Sequence, residues 1–194
     1  MGDYYSERKE FFEKIYWEKD HNNILIPNGI NSFPPVDLIG KLNILLKIIN
    51  HGGNIIDLGC GNGVLLKLLM GKSNQKIIPW GIDFLDKSIQ QAREKVLPKF
   101  KENFEVGNCL KINFDKQFDY IISDLECASD DDINIFINKC FNALKKNGAL
   151  IFFIPSDTYI SIKNRGKTMS FLKSKNLNWL KNPNMLCCYL SKEY

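Results

Sequence analysis

The chain has 194 residues, a formal net charge of +4, and 44% hydrophobic and 25% charged residues. That length suits one domain, residues 1–194, with a sizeable core, and the composition is that of an ordinary soluble protein. No apolar stretch reaches the length needed to span a bilayer. The charged, aromatic N-terminus, Met1 to Asp20, lacks the basic-then-apolar order of a secretory signal, so the expectation is a cytoplasmic protein with no membrane partner.

In chain order, Tyr4 to Lys19 carries Phe11, Phe12, Ile15 and Tyr16 at helical spacing and predicts an N-terminal helix. Asp20 to Pro34 is polar and turn-rich. A helix starting near Pro35 has Leu38, Ile39, Leu42, Leu45, Leu46 and Ile49 as its buried stripe and stops at Gly52 or Gly53. The remainder alternates. Strands are predicted at Ile55–Leu58, Ile77–Asp83, Phe104–Gly107, Tyr120–Ser123 and Leu150–Ile154, with two weaker ones at Leu177–Leu180 and Leu186–Leu190. Helices are predicted at Val64–Met70 ending at Gly71, from an Asp86 cap to Leu97, from Ser129 and its three aspartates to Leu144, and at Thr168–Ser174. Pro79 is a difficulty inside a central strand, because proline cannot donate to the ladder; pairing from Trp80 onward would avoid it. Alternation of this kind argues for an α/β fold, a mostly parallel sheet with helices on both faces.

Six cysteines are present, with no C-x-x-C pair and no Cys/His cluster at zinc spacing, so no metal site is expected. They read as reduced small hydrophobes, and adjacent Cys187 and Cys188 would point to opposite faces of a strand. The positive charge comes mostly from lysine. Arginine occurs only at Arg8, Arg93 and Arg165, which is a poor basis for a dedicated nucleic-acid surface.

The chemistry concentrates at Asn54-Ile-Ile-Asp-Leu-Gly-Cys-Gly-Asn-Gly63. An apolar strand ends in Asp57 and then in Gly59, Gly61 and Gly63. Twenty residues beyond, a second apolar run ends in Asp83. Glycines let a backbone approach a ligand closely, and a helix starting there directs unpaired N–H groups at it. An acid at the end of the next strand can accept two hydrogen bonds from a ribose diol. A plain strand-to-helix turn requires neither acid.

This pattern resembles the first two motifs of the class I S-adenosylmethionine-dependent methyltransferases, and Lys145 to Pro155 resembles their fifth-strand segment. The resemblance covers about residues 35–194. It implies a doubly wound, Rossmann-like core of seven strands ordered 3-2-1-4-5-7-6, the last antiparallel, S-adenosyl-L-methionine as cofactor, and methyl transfer as activity. By the same resemblance Asp57 orients the glycine turn and the methionine amino group. Gly59, Cys60 and Gly61 flank the methionine moiety, Asp83 takes the ribose hydroxyls and Phe84 packs on adenine. Asn108 and Cys109 occupy the adenine-reading position, with asparagine in place of the usual aspartate, and Ser123 opens the substrate-facing segment. The alternatives are turn-capping for Asp57 and helix-capping for Asp83.

Asp124, Glu126 and His21 are the candidates for orienting or deprotonating an acceptor. A small-molecule acceptor is the first expectation, with residues 1–34 as a helix and lid. A protein or RNA acceptor, reached through Lys163, Arg165, Lys167, Lys173 and Lys175, and a non-catalytic partner subunit that binds the cofactor stay open as alternatives.

Overall fold

A computed structural model describes residues 4–17, 35–111, 113–155, 166–174, 177–182 and 185–191. The elements are α1 (Tyr4–Trp17), α2 (Pro35–Ile48), β1 (Gly53–Leu58), α3 (Val64–Lys72), β2 (Ile77–Asp83) and α4 (Asp86–Gln91), which continues as a wider turn through Val96. Then follow β3 (Phe104–Val106), β4 (Phe118–Asp124), α5 (Ile133–Ala143), β5 (Leu144–Pro155), α6 (Gly166–Ser174), β6 (Asn178–Asn182) and β7 (Met185–Ser191). The strands form one mixed sheet in the spatial order β3-β2-β1-β4-β5-β7-β6. β1 pairs in parallel with β2 and β4, and β7 pairs antiparallel with β5 and β6. The predicted α/β class holds. His21 and the turn-rich segment 20–34 lie outside the described residues, as do Lys163, Arg165 and Lys175. No described helix is long and apolar enough to cross a membrane.

The central strands carry apolar residues toward both faces of the sheet because both faces are covered. Ile56, Ile121, Leu150 and Phe152 pack with Phe136, Ile137 and Cys140 of α5. Their chain neighbours Ile55, Ile122, Ile151 and Phe153 pack on the other face with Leu45 of α2, Leu66 and Leu69 of α3, and Ile89 of α4. Cys188 joins the first cluster and Cys187 the second, as strand alternation requires.

Several local expectations are corrected. β2 is paired through Pro79, in register with Ile55 of β1. A residue's N–H and C=O point the same way in a strand, and the Pro79 carbonyl accepts Asn103 Nδ2 at 3.0 Å, away from β1. Pairing of β2 with β3 begins only at Gly81, so no ladder bond is lost at the imide. α3 runs past Gly71 to Lys72, where the Ser73 amide closes it onto the Leu69 carbonyl. Asp86 is inside α4, not its cap; Leu85 is the cap residue and Asp83 binds its amide. α5 ends at Ala143, and β5 starts six residues before Leu150, through a register shift that holds Asn147 at φ 63°. Ile39 is 53% exposed and Phe11 49% exposed; Ile44 takes the buried place on α2 that Ile39 does not.

Gly81 marks the tightest approach beside the site. A Cβ there would lie 2.6 Å from Cys60 Sγ and from two carbons of the Phe104 ring. Phe104 is fully buried and has nowhere to retreat. Gly81→Ala should therefore lower the unfolding free energy by about 1–3 kcal/mol, the usual range for an overpacked core, in urea titrations followed by circular dichroism. A midpoint equal to the parent's would mean that this contact yields freely.

Candidate cofactor and acceptor site

The carboxyl ends of β1, β2 and β4 meet where the strand order reverses, the place where open α/β sheets bind ligands. After Leu58 the chain turns through Gly59 at φ 85°, Gly61 at φ 53° and Gly63 at φ 77°, all in the left-handed region where a Cβ is strained. The turn is fastened to β2. The Gly59 and Cys60 amides donate to the Ile82 carbonyl at 2.8 and 3.1 Å. The Gly61 amide donates to Asp83 Oδ2 at 2.8 Å, and the Leu85 amide donates to Asp83 Oδ1 at 2.9 Å. Asp83 thus does perform the helix-side capping that was its alternative reading, while holding the glycine turn as well. Burial raises its pKa, against the opposing pull of the two amides.

Asp57 behaves differently. It is 6% exposed, and among the described residues its carboxylate accepts no hydrogen bond. Among the described residues it does not cap the turn, which was its alternative reading; the Gly61 amide is held by Asp83. Burial lifts its pKa to about 7, with the Lys41 ammonium opposing and the Asp124 and Asp83 carboxylates adding to the rise.

Lys41 comes from α2. Its Nζ donates to both oxygens of Asp124, at 2.7 and 2.9 Å, and lies over the Phe153 ring, 5.3 Å from the centroid. The lysine side chain is 20% exposed. Burial alone would lower its pKa, but the Asp124 and Asp57 carboxylates more than offset this and the net direction is up.

α1 straps the opening. Tyr4 donates its hydroxyl to the Glu126 carbonyl at 2.9 Å, and Arg8 pairs with the Glu126 carboxylate. The Arg8 guanidinium stacks 4.5 Å from the Phe12 ring centroid, and Phe12 meets Phe84 at 5.9 Å. Tyr5 donates to Asp132 Oδ2 at 2.8 Å, at the start of α5. Burial and that carboxylate push the Tyr5 pKa up to about 12. One helix therefore reaches the tips of β2, β4 and α5.

Between these groups lies a cavity of about 400 Å³, within the range of small-ligand sites. Asp57, Gly59, Cys60, Gly61, Asp83, Phe84, Asn108, Cys109, Ser123, Asp124 and Glu126 all line it. These are all the predicted site residues except His21. Asn108 Oδ1 already accepts the Leu110 amide at 2.8 Å, leaving one lone pair for a ligand. Sequence reasoning missed Lys41, Arg8 and the lining by Leu38 and Val64. A signal for Lys41 existed. It interrupts the apolar stripe Leu38, Leu42, Leu45 of α2, so its stem had to enter a packed face. Lys167, read as part of a basic stretch, pairs instead with Asp131 at 2.7 Å, and Asp130 accepts the Lys167 and Thr168 amides at the start of α6.

Residues 49–185 match the protein family described as methyltransferase domain. The chain belongs to the class I S-adenosylmethionine-dependent methyltransferases. Its cofactor is S-adenosyl-L-methionine. Among curated relatives, it is 26% identical over 133 residues to a malonyl-[acyl-carrier protein] O-methyltransferase of Ilyobacter polytropus, covering 66% of this chain and 50% of that protein. It is 29% identical over 127 residues to the ribosomal protein L11 methyltransferase of Thermosipho africanus, covering 60% and 47%. The chain thus spans about half the length of these relatives. In fold it is similar to magnesium protoporphyrin IX methyltransferase from Synechocystis, solved with its cofactor bound, at a TM-score of 0.64 with 13% identity over 100% of this chain and 99% of the other. It is also similar to the N-methyltransferase NodS from Bradyrhizobium japonicum, at a TM-score of 0.60 with 15% identity over 84% and 98%.

The residues of this methyltransferase site suit that cofactor on their own geometry. A buried carboxylate that accepts no hydrogen bond among the described residues, Asp57, lines the cavity, and a glycine turn of left-handed backbone leaves room beside it.

The Asp57 carboxyl also makes a pH dependence. Its ordinary value is 3.8 and its folded value is about 7, so between these the folded state holds a proton that the unfolded state has released. Stability from this group is complete below the lower value and falls as pH rises through the upper one. In thermal melts of the ligand-free protein, Asp57→Asn should gain stability relative to the parent between about pH 5 and about pH 8. A constant difference across that window would show that Asp57 is ionised throughout.

Proposed function

We propose that the chain transfers the methyl group of S-adenosyl-L-methionine to a small-molecule acceptor held beneath α1. The observation that carries this reading is the cavity itself. It is built from the strand tips on one side and from α1 and α2 on the other, and a strap of that kind suits a compact acceptor. The malonyl-[acyl-carrier protein] and L11 relatives differ in the kind of acceptor they name, so they support the transfer more than the acceptor.

In this reading Asp57 receives the cofactor's ammonium, which supplies the partner that its buried carboxylate lacks. The backbone from Gly59 to Gly61 lies along the methionine portion. Asp83 has lone pairs beyond its two amide bonds and takes the ribose hydroxyls. Phe84, Asn108 and Cys109 border the adenine, and Ser123 borders the methionine end. Asp124 and Glu126 belong to the acceptor side. Bound there, the cofactor supplies a methyl group on a sulfonium that already carries its leaving group. The chain's own contribution is to align the acceptor and to keep water out, which α1 does by closing the opening.

Calorimetry should show saturable binding of S-adenosyl-L-methionine and of its demethylated product, and none of NAD. Asp83→Ala should weaken product binding by more than about tenfold, ~1.4 kcal/mol. It should also lower stability by about 1–3 kcal/mol, because the Gly61 and Leu85 amides lose their acceptor. Unchanged affinity in a folded Asp83→Ala protein would remove Asp83 from the ribose. The strap has its own signature: amides of residues 4–17 should exchange more slowly with the demethylated product bound. Equal exchange rates with and without it would detach α1 from the site.

A further inference from the structure

Two cations with hydrogen-bond donors to spare stand on the acceptor side, each paired with an acid. Asp124 receives Lys41 on both of its oxygens, and Glu126 receives Arg8. The Ser123 hydroxyl donates to the Asp124 carbonyl at 3.0 Å. Both acids that could have taken a proton from an acceptor are therefore committed to cations. The donors are not exhausted. An ammonium has three N–H groups and a guanidinium five. Among the described residues Lys41 donates to one carboxylate and Arg8 to another, and both side chains line the cavity while staying partly exposed, 20% and 25%.

Lys41 cannot swing away cheaply. Phe153 underneath it is fully buried, and the Asp124 carboxylate holds the head group from the other side. Arg8 likewise lies over the Phe12 ring. The carboxylates facing this region from neighbouring elements are Asp57 on β1 and Asp83 on β2. The first is the partner of the cofactor's ammonium in the function proposed above, and the second is bound by two amides. A group entering between Lys41 and Arg8 thus meets N–H donors, and the described acids around it are ion-paired, held by amides or, for Asp57, assigned above to the cofactor's ammonium.

We infer that the acceptor is an oxygen acid that arrives already ionised, a carboxylate or a phenolate, held by Lys41 and Arg8. This rests on the methyl-transfer reading and specifies its substrate class. The chemistry balances without a base. A lone pair on the acceptor oxygen forms the O–C bond as the C–S bond breaks, and the electron pair of that bond stays on sulfur. The negative charge of the acceptor and the positive charge of the sulfonium are both consumed, and no proton has to leave. An amine acceptor would instead arrive protonated, with its nitrogen lone pair taken, and would have to lose a proton before it could attack.

The test uses four probes of one shape, benzoate, 4-nitrophenolate, benzamide and benzylamine, titrated by calorimetry at pH 8 into the full chain saturated with the demethylated cofactor product. The expected result is that benzoate or 4-nitrophenolate binds at least tenfold more tightly than both benzamide and benzylamine; which of the two is tighter distinguishes a carboxylate from a phenolate acceptor. Lys41→Gln should abolish that selectivity while Lys41→Arg keeps it. Affinity for the demethylated product within tenfold of the parent's certifies that a variant is folded. Arg8→Gln provides the same measurement should Lys41→Gln fail that check. Tighter binding of benzylamine, equal binding of all four, or no binding of any overturns the inference. The two readings fail separately: no binding of the demethylated product sinks the methyltransferase reading, whereas product binding without anion preference sinks only the acceptor class.

Discussion

One buried carboxylate holds the site in shape. Asp83 takes the Gly61 amide on one oxygen and the Leu85 amide on the other, so the glycine turn after β1 and the start of α4 are fastened through a single side chain. Hydrogen bonds to a charged acceptor contribute about 1.5–3 kcal/mol each, enough to offset much of the cost of burying that charge. The Ile82 carbonyl adds two further bonds to the same turn. With the turn fixed in this way, its left-handed glycines can present backbone, not side chain, to the cavity. The separation between the β1 and β2 tips then follows from their paired register.

Charge is distributed by element. The acids stand on the strand tips, Asp57, Asp83 and Asp124, with Glu126 in the turn just beyond β4. The cations that meet them come from helices, Arg8 on α1 and Lys41 on α2. Alternate residues beyond β4 thereby reach two different helices, and α1 is seated by an ion pair, by two tyrosine hydroxyls and by the Phe12–Phe84 contact. Partly buried ion pairs of this kind add little net stability, since desolvation consumes most of the attraction. Their effect here is geometric: they set where the cover lies and which hydrogen-bonding groups remain for a ligand.

The sheet is shared with proteins only 13–15% identical in sequence, among them an N-methyltransferase and a porphyrin methyltransferase. A fold common to such different enzymes is a platform for the cofactor and does not select an acceptor. The groups that face an acceptor here come largely from the cover over the platform. α1 and α2 carry Arg8, Lys41 and the aromatic residues that surround the rest of the cavity.

The features that depend on neighbours in sequence were legible from sequence. Glycines at alternate positions after an apolar strand, with Asp57 before them and Asp83 beyond, mark the left-handed turn that borders the cavity. Alternating apolar strands and helices marked the α/β class, and strand periodicity sent Cys187 and Cys188 to opposite faces. Pro79 was ambiguous for a physical reason: whether a proline breaks a ladder depends on where the next strand begins, and β3 starts pairing two residues later. The Lys41–Asp124 and Arg8–Glu126 pairs join residues 83 and 118 positions apart, and no local pattern encodes a partner at that distance. The sequence by itself determined the glycine turn after β1, the class of fold and the strand faces. Only the tertiary structure decided that the acids after β4 are already bound to cations, because that depends on where two helices, distant in the chain, lie across the sheet.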